Sequence, residues 1–240
     1  MHGHGAGGVT NVAMAGNRLD WTTRYGHRTR VLAASTIGCK EWVVARPAPG
    51  VPVSALAGDG DVLAYAVQGS VAMVETESDN WYGEVLSHSA VPVAELAVDS
   101  DRVATLYRNG TVTVMTEHGG PLSSFAAGQA RAIALHGDNV AVLRSGRLDV
   151  YSATTGLLKH SWRVAANART VGFAYGIAVV AAGDNVFALN VATGHSARLL
   201  HAPGRVAAQV DSPGVVAQFN AGGHGYLRFI PLSTLEARTR

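Results

Sequence analysis

Residues 131–156, RAIALHGDNVAVLRSGRLDVYSATTG, decide the fold class. The stretch contains three short, mainly apolar segments, at residues 132–135, 140–143 and 148–150, and a turn sequence rich in Gly, Asp, Asn, Ser or Thr follows each of them. Such residues tolerate or stabilise the backbone angles of tight turns. With a fourth segment at residues 158–164, the pattern predicts a meander of four strands of about five residues each.

The strand-turn-strand opening of this stretch recurs five more times, in copies that begin at Val12, Val53, Val93, Arg169 and Val206. One four-stranded sheet cannot bury both of its faces alone, so each copy needs neighbours to pack against. A period of about 40 residues with four strands is typical of β-propeller blades. The predicted fold is therefore an all-β propeller of four-stranded antiparallel blades, with about six blades visible, or seven if one is missing upstream.

The repeats also predict the domain organisation. We expect a flexible N-terminal tail at residues 1–8 and a single propeller domain at residues 9–240. The blades are predicted at about residues 9–50, 51–90, 91–128, 129–165, 166–203 and 204–240. In the last blade, the third strand is predicted at residues 226–232 and the fourth at residues 235–240. Since no strand is predicted to close the ring, either six blades close by side-chain packing or something upstream is missing, and a free edge would favour association.

Composition argues against several classes of protein. Apolar residues make up 48% of the chain and charged residues 15%, which argues against disorder. No stretch approaches the roughly 18 uninterrupted apolar residues of a membrane span. A net charge of +2, without a basic run or an RNA-binding signature, gives no indication of nucleic-acid binding. Residues 1–8 lack the charged start and apolar centre of a signal peptide, so the compartment stays open.

Local motifs of catalysis and metal binding are missing from the sequence. H-E-x-x-H, G-x-S-x-G and the phosphate-binding G-x-x-x-x-G-K-[ST] do not occur. Cys39 is the single cysteine, which excludes an internal disulfide and a cysteine-built zinc site, and we interpret it as a small turn residue. We interpret His2 and His4 as part of a solvated tail, because a fixed third metal ligand is missing.

Two pairs of acidic residues resemble calcium ligands only superficially. Asp59/Asp61 and Asp99/Asp101 both fall in a predicted turn between the first and second strands of a blade, where Asp and Gly stabilise the reversal. They lack the further oxygen ligands of a calcium-binding loop. We therefore predict no catalytic residue, no metal site and no cofactor.

Arginines recur near the predicted turns between second and third strands, and Arg24, Arg108 and Arg144 fall at corresponding places in three blades. In a propeller these turns share a face with the loops that join one blade to the next. The same argument assigns neighbouring loop residues to that face: Tyr25, His27, Arg28, Tyr107, His201, Arg205, Asn220 and His224. Guanidinium groups with aromatic partners suit an anionic or sugar-rich ligand, or an acidic protein surface. The alternative is that the arginines flank exposed turns only because they stay solvated.

Two runs resemble a known type of repeat. DVYSATTGLLKHSW at residues 149–162 and NVFALNVATG at residues 185–194 are similar to the A-x-D-x-x-T-G strand and turn of pyrroloquinoline-quinone-type propeller repeats. More widely, the layout of residues 53–240 resembles exported β-propeller repeat proteins of GC-rich bacteria, in the PQQ-like and WD40-like propeller superfamily. The resemblance implies the propeller fold and a periplasmic or extracellular location, and it implies nothing catalytic.

The chain also departs from these families. Quinoprotein repeats place a tryptophan that docks neighbouring blades four residues after the T-G glycine, where this chain has His160 and Arg198. Trp162 is the nearest substitute. A single cysteine and six blades argue against the quinone cofactor of the quinoprotein dehydrogenases. No Trp-Asp dipeptide closes a repeat, so the WD-type pattern is not met either.

These observations favour a noncatalytic binding scaffold, associated with the cell envelope, whose Arg-, His- and Tyr-bearing face binds a protein or an anionic or glycan ligand. An alternative is a propeller enzyme, such as a polysaccharide lyase or a glycosidase-like hydrolase, whose site is assembled from several blades and needs no local motif. A third hypothesis is a shortened member that lacks a blade and has no activity alone. We expect no nucleic-acid partner, no transmembrane segment, and a monomer unless an open ring edge drives association.

Overall fold

The structure, a computed structural model, describes residues 8–15, 18–35, 41–75, 82–211 and 214–240. The predictions for residues 1–7, which include His2 and His4, and for Cys39 lie outside the described residues. The chain divides into two compact units, Met1–Ala126 and Ala127–Arg240, each of which contains three antiparallel sheets.

The first unit contains blades 1 to 3, each a four-stranded sheet in chain order. Blade 1 is β1 (Gly8–Ala15), β2 (Arg18–Tyr25), β3 (Arg28–Ser35) and β4 (Glu41–Ala45). Blade 2 is β5 (Val53–Asp59), β6 (Val62–Val67), β7 (Ser70–Glu75) and β8 (Tyr82–His88). Blade 3 is β9 (Val93–Asp99), β10 (Arg102–Tyr107), β11 (Thr111–Thr116) and β12 (Pro121–Ala126).

The second unit contains blades 4 to 6. Blade 4 is β13 (Ala132–His136), β14 (Asn139–Arg144), β15 (Arg147–Ser152) and β16 (Leu158–Arg163). Blade 5 is β17 (Ala168–Ala174), β18 (Ile177–Ala182), β19 (Asn185–Asn190) and β20 (Ser196–His201). Blade 6 has three strands, β21 (Val206–Asp211), β22 (Gly214–Ala221) and β23 (His224–Pro231), and is followed by helix α1 (Leu232–Arg238).

The structure confirms the predicted fold class, an all-β six-bladed propeller of mainly four-stranded antiparallel sheets. The turns form where the sequence supplies the chemistry for them. Gly137 and Gly146, between the strands of blade 4, have φ angles of 56° and 73°. These angles lie in the left-handed region, which glycine adopts without the steric cost that a Cβ atom brings.

The hydrophobic core of each unit lies between adjacent blades. In the first unit, Val31 of blade 1 packs with Val53 and Leu63 of blade 2. In the second unit, Leu148 of blade 4 packs with Val180 of blade 5. Fully burying one such side chain contributes about 1.5–3 kcal/mol, so each blade is stabilised mainly by its neighbours.

The first strands of blades 5 and 6 approach each other closely at one point. Gly172 of β17 lies against Val210 of β21, where an added Cβ atom would overlap the valine side chain.

A buried ion pair of blade 1 is connected to blade 2 by a hydrogen bond. The buried Arg18 donates from Nε to Asp20 at 2.7 Å and from Nη2 to the Val62 carbonyl at 3.2 Å. Burial raises the pKa of the Asp20 carboxyl, and the hydrogen bond and charge of Arg18 oppose that shift.

The prediction of a fourth strand at residues 235–240 is wrong. The chain forms helix α1 at Leu232–Arg238 instead, and Leu235 is buried in the core that blades 5 and 6 share. The sequence LSTLEAR favours the helix, because Leu232 and Leu235 are three residues apart on one helical face and Leu, Glu, Ala and Arg are good helix formers. Blade 6 therefore has three strands, and α1 contacts β20, β22 and β23.

Candidate functional site

In each unit, the turns between second and third strands lie beside the connections that join one blade to the next. In the first unit, the Gly50 amide donates to the His27 carbonyl at 2.6 Å. The Ser89 amide likewise donates to the Gly69 carbonyl at 3.0 Å. In each unit, we call the surface formed by these turns and connections its connection edge, and the end of the blades with the other turns its opposite edge.

The second unit repeats this arrangement. The Val164 amide donates to the Gly146 carbonyl at 3.1 Å, and the Ala202 amide donates to the Asp184 carbonyl at 2.8 Å. Within each unit, these bonds hold the turn loops and the blade connections together, as the sequence argument for a shared face assumed.

Close approach at the connection edge requires a glycine in blade 2. A Cβ atom on Gly69 would collide with the backbone carbonyl of Ser89 and would lie 3.0 Å from the Val91 carbonyl. The neighbouring Gln68 has a φ angle of 58°, and its carbonyl accepts from the Val93 amide at 3.0 Å. The Gln68–Gly69 turn is thus shaped to receive the connection to blade 3.

The candidate residues of the first unit lie at the connection edge but differ in exposure. Arg24, Tyr25, His27, Arg28 and Arg108 are exposed. Tyr107 is the exception, since it is only 7% exposed and belongs to the core between blades 2 and 3.

Strand register shows that the three corresponding arginines do not share one structural position. Arg144 forms the last pair of its hairpin, with Arg147. Tyr25 holds that place in blade 1, so Arg24 is one residue further from the turn. Arg108 follows the end of β10 and lies in the turn itself, where its amide donates to the Pro92 carbonyl at 2.9 Å.

The candidate residues of the second unit also lie at its connection edge. His201 is exposed at the end of β20, with its Nδ1 atom 3.2 Å from the Asn185 side-chain oxygen and 3.5 Å from Asp184 Oδ2. Arg205 is exposed in the connection from blade 5 to blade 6. Asn220 and His224 flank the β22–β23 turn and are exposed.

Three arginines lie side by side at the connection edge of blade 4. Arg144 of β14 pairs directly with Arg147 of β15, which pairs directly with Arg163 of β16. Directly opposed residues on neighbouring strands project from the same face of a sheet. We call these three residues the arginine row. Arg147 and Arg163 did not figure among the sequence candidates, although their places at the start of β15 and the end of β16 put them at this edge.

A buried carboxylate orients two members of the arginine row. Asp149 is fully buried and accepts from Arg147 Nε at 2.8 Å, from Ser161 Oγ at 2.6 Å and from Arg144 Nη2. Arg144 Nη2 also donates to the Tyr151 hydroxyl at 3.0 Å. Of the two guanidinium-bearing side chains, Arg144 is 30% exposed and Arg147 is 53% exposed. Both arginines are thus held in place and still reach solvent.

Charge differs between the two edges of the first unit. The turns and connections of its connection edge, residues 26–27, 46–52, 68–69, 89–92 and 108–110, contain Arg46 and Arg108 and no Asp or Glu. Among the described residues at or beside the turns of the opposite edge, seven are acidic and two are basic: Glu41, Asp59, Asp61, Glu75, Asp99, Asp101 and Glu117, against Arg18 and Arg102. The first unit is therefore cationic at one edge and acidic at the other.

The acidic residues of the opposite edge stabilise turns. Asp59 accepts from the Ser100 amide of the next blade at 2.8 Å. Asp138 accepts from the Thr154 amide at 2.8 Å and from Lys159 Nζ at 2.9 Å. Partial burial opposes ionisation of Asp138, but hydrogen bonds from Lys159, Thr154 and Ser152 outweigh it and lower the pKa of the carboxyl. Among the described residues, no group of three or more His, Cys, Asp or Glu side chains could hold a metal ion.

Comparison with known proteins identifies the fold and no family. No family model matches the chain, and no curated protein matches its sequence. In addition, no helix in the described part of the chain is long and apolar enough to cross a membrane.

Solved structures share the strand arrangement. The crystal structure of a mitotic checkpoint complex contains a chain similar to this one at a TM-score of 0.67 and 13% identity, over 90% of this chain and 75% of that one. The WD40 domain of Toxoplasma gondii coronin has a TM-score of 0.63 and 11% identity, over 92% and 69% of the two chains. BamB from Moraxella catarrhalis has a TM-score of 0.57 and 15% identity, over 91% and 72%. At such identities the likeness shows the fold alone: this chain is a β-propeller similar to WD40 and PQQ-like structures.

Proposed function

We propose that the chain is a noncatalytic binding scaffold whose connection edge binds an anionic ligand, an acidic protein surface or an acidic glycan. The arginine row carries this proposal. Like charges placed directly opposite each other on neighbouring strands destabilise a sheet. The arginine row has three positive charges, and Asp149 balances only one of them. Carboxylate, sulfate or phosphate groups of a ligand would supply the missing negative charge and accept hydrogen bonds from the outer guanidinium nitrogens.

The connection edge of the first unit supports the same ligand class. Arg24, Arg28 and Arg108 are exposed, and no acidic residue occurs in the turns and connections of that edge. Guanidinium groups are weakly hydrated and match carboxylate and phosphate geometry. An anion therefore gains charge-assisted hydrogen bonds there at a small cost of desolvation.

The exposed aromatic, His and Asn candidates complete the proposed surface of each unit. Tyr25 and His27 in the first unit, and His201, Asn220 and His224 in the second, would supply stacking and neutral hydrogen bonds, as recognition of a sugar or a peptide requires. Tyr107 supports this surface from the core and does not line it, since it is buried. Association with a bacterial envelope stays a prediction from the sequence resemblance.

The test is binding of two defined polyanions, poly-L-glutamate and polygalacturonate, measured by calorimetry at several NaCl concentrations. The variant Arg147→Gln/Arg163→Gln removes two members of the arginine row and leaves the bond between Arg144 and Asp149. We expect it to bind at least one polymer roughly tenfold more weakly, because two exposed ion pairs contribute about 0.2–1 kcal/mol each. Raising the NaCl concentration should weaken binding of the wild-type protein.

The matched control is Arg102→Gln/Arg240→Gln, which makes the same change in net charge away from the connection edge. Arg102 begins β10 beside Asp101, and the Arg240 carbonyl lies 2.9 Å from His195 Nδ1 in the turn before β20. We expect the control to bind like the wild type. Equal loss in both variants, or no binding of either polymer by the wild type, would contradict the proposal. Cleavage of polygalacturonate by the purified protein would favour the enzyme hypothesis instead.

A further inference from the structure

A cavity of about 360 Å³ lies between the outer halves of blades 4 and 5. Its walls include Trp162 and Val164 on the side of blade 4, and Val180, Phe187, Leu189 and Ser196 on the side of blade 5. Small-molecule sites in proteins typically have volumes of roughly 300–1,000 Å³ and mainly apolar walls with a few polar groups. The cavity has both properties.

The cavity lies beside a contact between the Trp162 side chain and a glycine of the next blade. The indole Nε1 atom lies against Gly194 in the β19–β20 turn, 3.6 Å from the position that a Cβ atom would occupy there. On its own strand, the Trp162 ring stacks on His160 at a centroid distance of 5.2 Å and an angle of 29°. At this point blade 4 contacts blade 5 through one large side chain, that of Trp162. A space remains between the two sheets next to the indole ring.

The walls of the cavity favour a flat apolar ligand. Trp162 from blade 4 and Phe187 from blade 5 are both partly exposed and both line the space. Leu189 and Val180 are buried beneath them. Aromatic rings gain stacking and edge-to-face contacts beyond the burial of their area. A ligand with one or two fused aromatic rings would make such contacts with both walls.

A cationic residue lies on the face of blade 5 that lines the cavity. Arg198 lies directly opposite Phe187 in the β19–β20 pairing, so it projects from the same face of blade 5. Arg163 also borders the cavity, but its pairing with Arg147 places its side chain on the face of β16 opposite to that of Trp162. Strands β16 and β20 contain no Asp or Glu, and neither do the lining residues. An anionic group on the ligand would therefore meet a favourable charge there.

We infer that this cavity is a binding site for a small aromatic anion, an aromatic carboxylate or sulfonate. The ring system lies between Trp162 and Phe187, and the anionic group pairs with Arg198. Apart from Arg163, which borders both, this site shares no residue with the surface of the proposed function, because it is formed by the facing sides of two blades. Loss of one site therefore does not imply loss of the other.

The test uses 2-naphthoate as the anionic probe and 2-naphthamide as the neutral one, with affinities measured by calorimetry. Ser196 pairs with Leu189 and lines the cavity, so Ser196→Phe places a ring in the space. We expect this variant to bind both probes at least tenfold more weakly. Arg198→Gln should bind naphthoate about tenfold more weakly, the effect of roughly 1.4 kcal/mol for one charge-assisted hydrogen bond, and naphthamide unchanged.

The matched control is Ala192→Phe, which adds the same ring at an exposed position in the β19–β20 turn, outside the cavity lining. It should bind both probes like the wild type. Should Ser196→Phe fail to fold, the contrast between the two probes in Arg198→Gln still decides the matter. The inference is overturned if the wild type binds neither probe at millimolar concentration, if Arg198→Gln binds naphthoate normally, or if a folded Ser196→Phe retains wild-type affinity.

Discussion

Arg144 lies directly opposite Arg147 at the end of the β14–β15 hairpin, and both guanidinium groups donate to the same buried carboxylate, that of Asp149. The pair would repel without that carboxylate. Asp149 therefore allows blade 4 to carry adjacent positive charges at its connection edge, and it fixes the direction in which each guanidinium group points.

Asp149→Asn should destabilise the protein by about 1–3 kcal/mol, because it removes the negative charge that accepts from both guanidinium groups and leaves the two arginines opposed. Urea denaturation measures the loss. Ser161→Ala is the matched control, since it removes a partner of Asp149 and leaves every charge in place; it should cost less. Equal losses in the two variants would show that charge compensation is not what Asp149 contributes.

Gly69→Ala should cost about 1–3 kcal/mol of stability, since the new methyl group would overlap the Ser89 carbonyl and force the turn away from the connection. Gly225→Ala is a suitable comparison, because the nearest atom to its added Cβ is Asn220 Oδ1 at 3.5 Å, an ordinary contact. Thermal melting of both variants tests this, and a Gly69→Ala protein as stable as the wild type would argue against the close approach.

Leu235→Ala should destabilise the protein by about 2–5 kcal/mol, because this side chain is 1% exposed and anchors α1 in the core between blades 5 and 6. Ser233→Ala, at an exposed position of the same helix, should have little effect. Chemical denaturation distinguishes the two. A loss below about 0.5 kcal/mol for Leu235→Ala, within the usual range of surface substitutions, would mean that the helix does not dock there.

Asp138→Asn should lower the melting temperature at neutral pH and have a diminishing effect in acid. Because the folded-state pKa of Asp138 is lowered, its carboxylate stabilises the fold at pH values above the unfolded-state pKa of about 3.9, and that contribution is lost as the pH falls through the folded-state value. The difference in melting temperature between the two proteins should therefore shrink as the pH falls from about 4 to 2. A constant difference across this range would contradict the assignment.

Much of the fold could be predicted from the sequence because its determinants are local. Alternating apolar residues and Gly, Asp or Asn turns act within a hairpin, and a repeat supplies the same signal six times. At Leu232–Arg238 the repeat predicts a strand, whereas the residues of the segment itself favour a helix. Local propensity decided the outcome there.

The site was less predictable, because it depends on strand register. The burial of Tyr107 follows from its place as the last residue of β10, facing the core of blades 2 and 3. The pairing of Arg147 with Arg163 depends on the register between β15 and β16 at the start of β15. That register changes along the strand pair, because it shifts between Val150 and Tyr151. Sequence spacing does not define such a register.

Hydrogen-deuterium exchange with and without bound polyanion tests most directly whether the connection edge is the binding surface. The polymer that binds more tightly in calorimetry would be used. We predict slower exchange in the turns at residues 24–28, 106–111 and 143–148 and in the blade connection at residues 201–206. The opposite-edge turns at residues 59–62 and 136–139 should show no change. Protection confined to the opposite edge, or no protection at saturating polymer, would contradict the account.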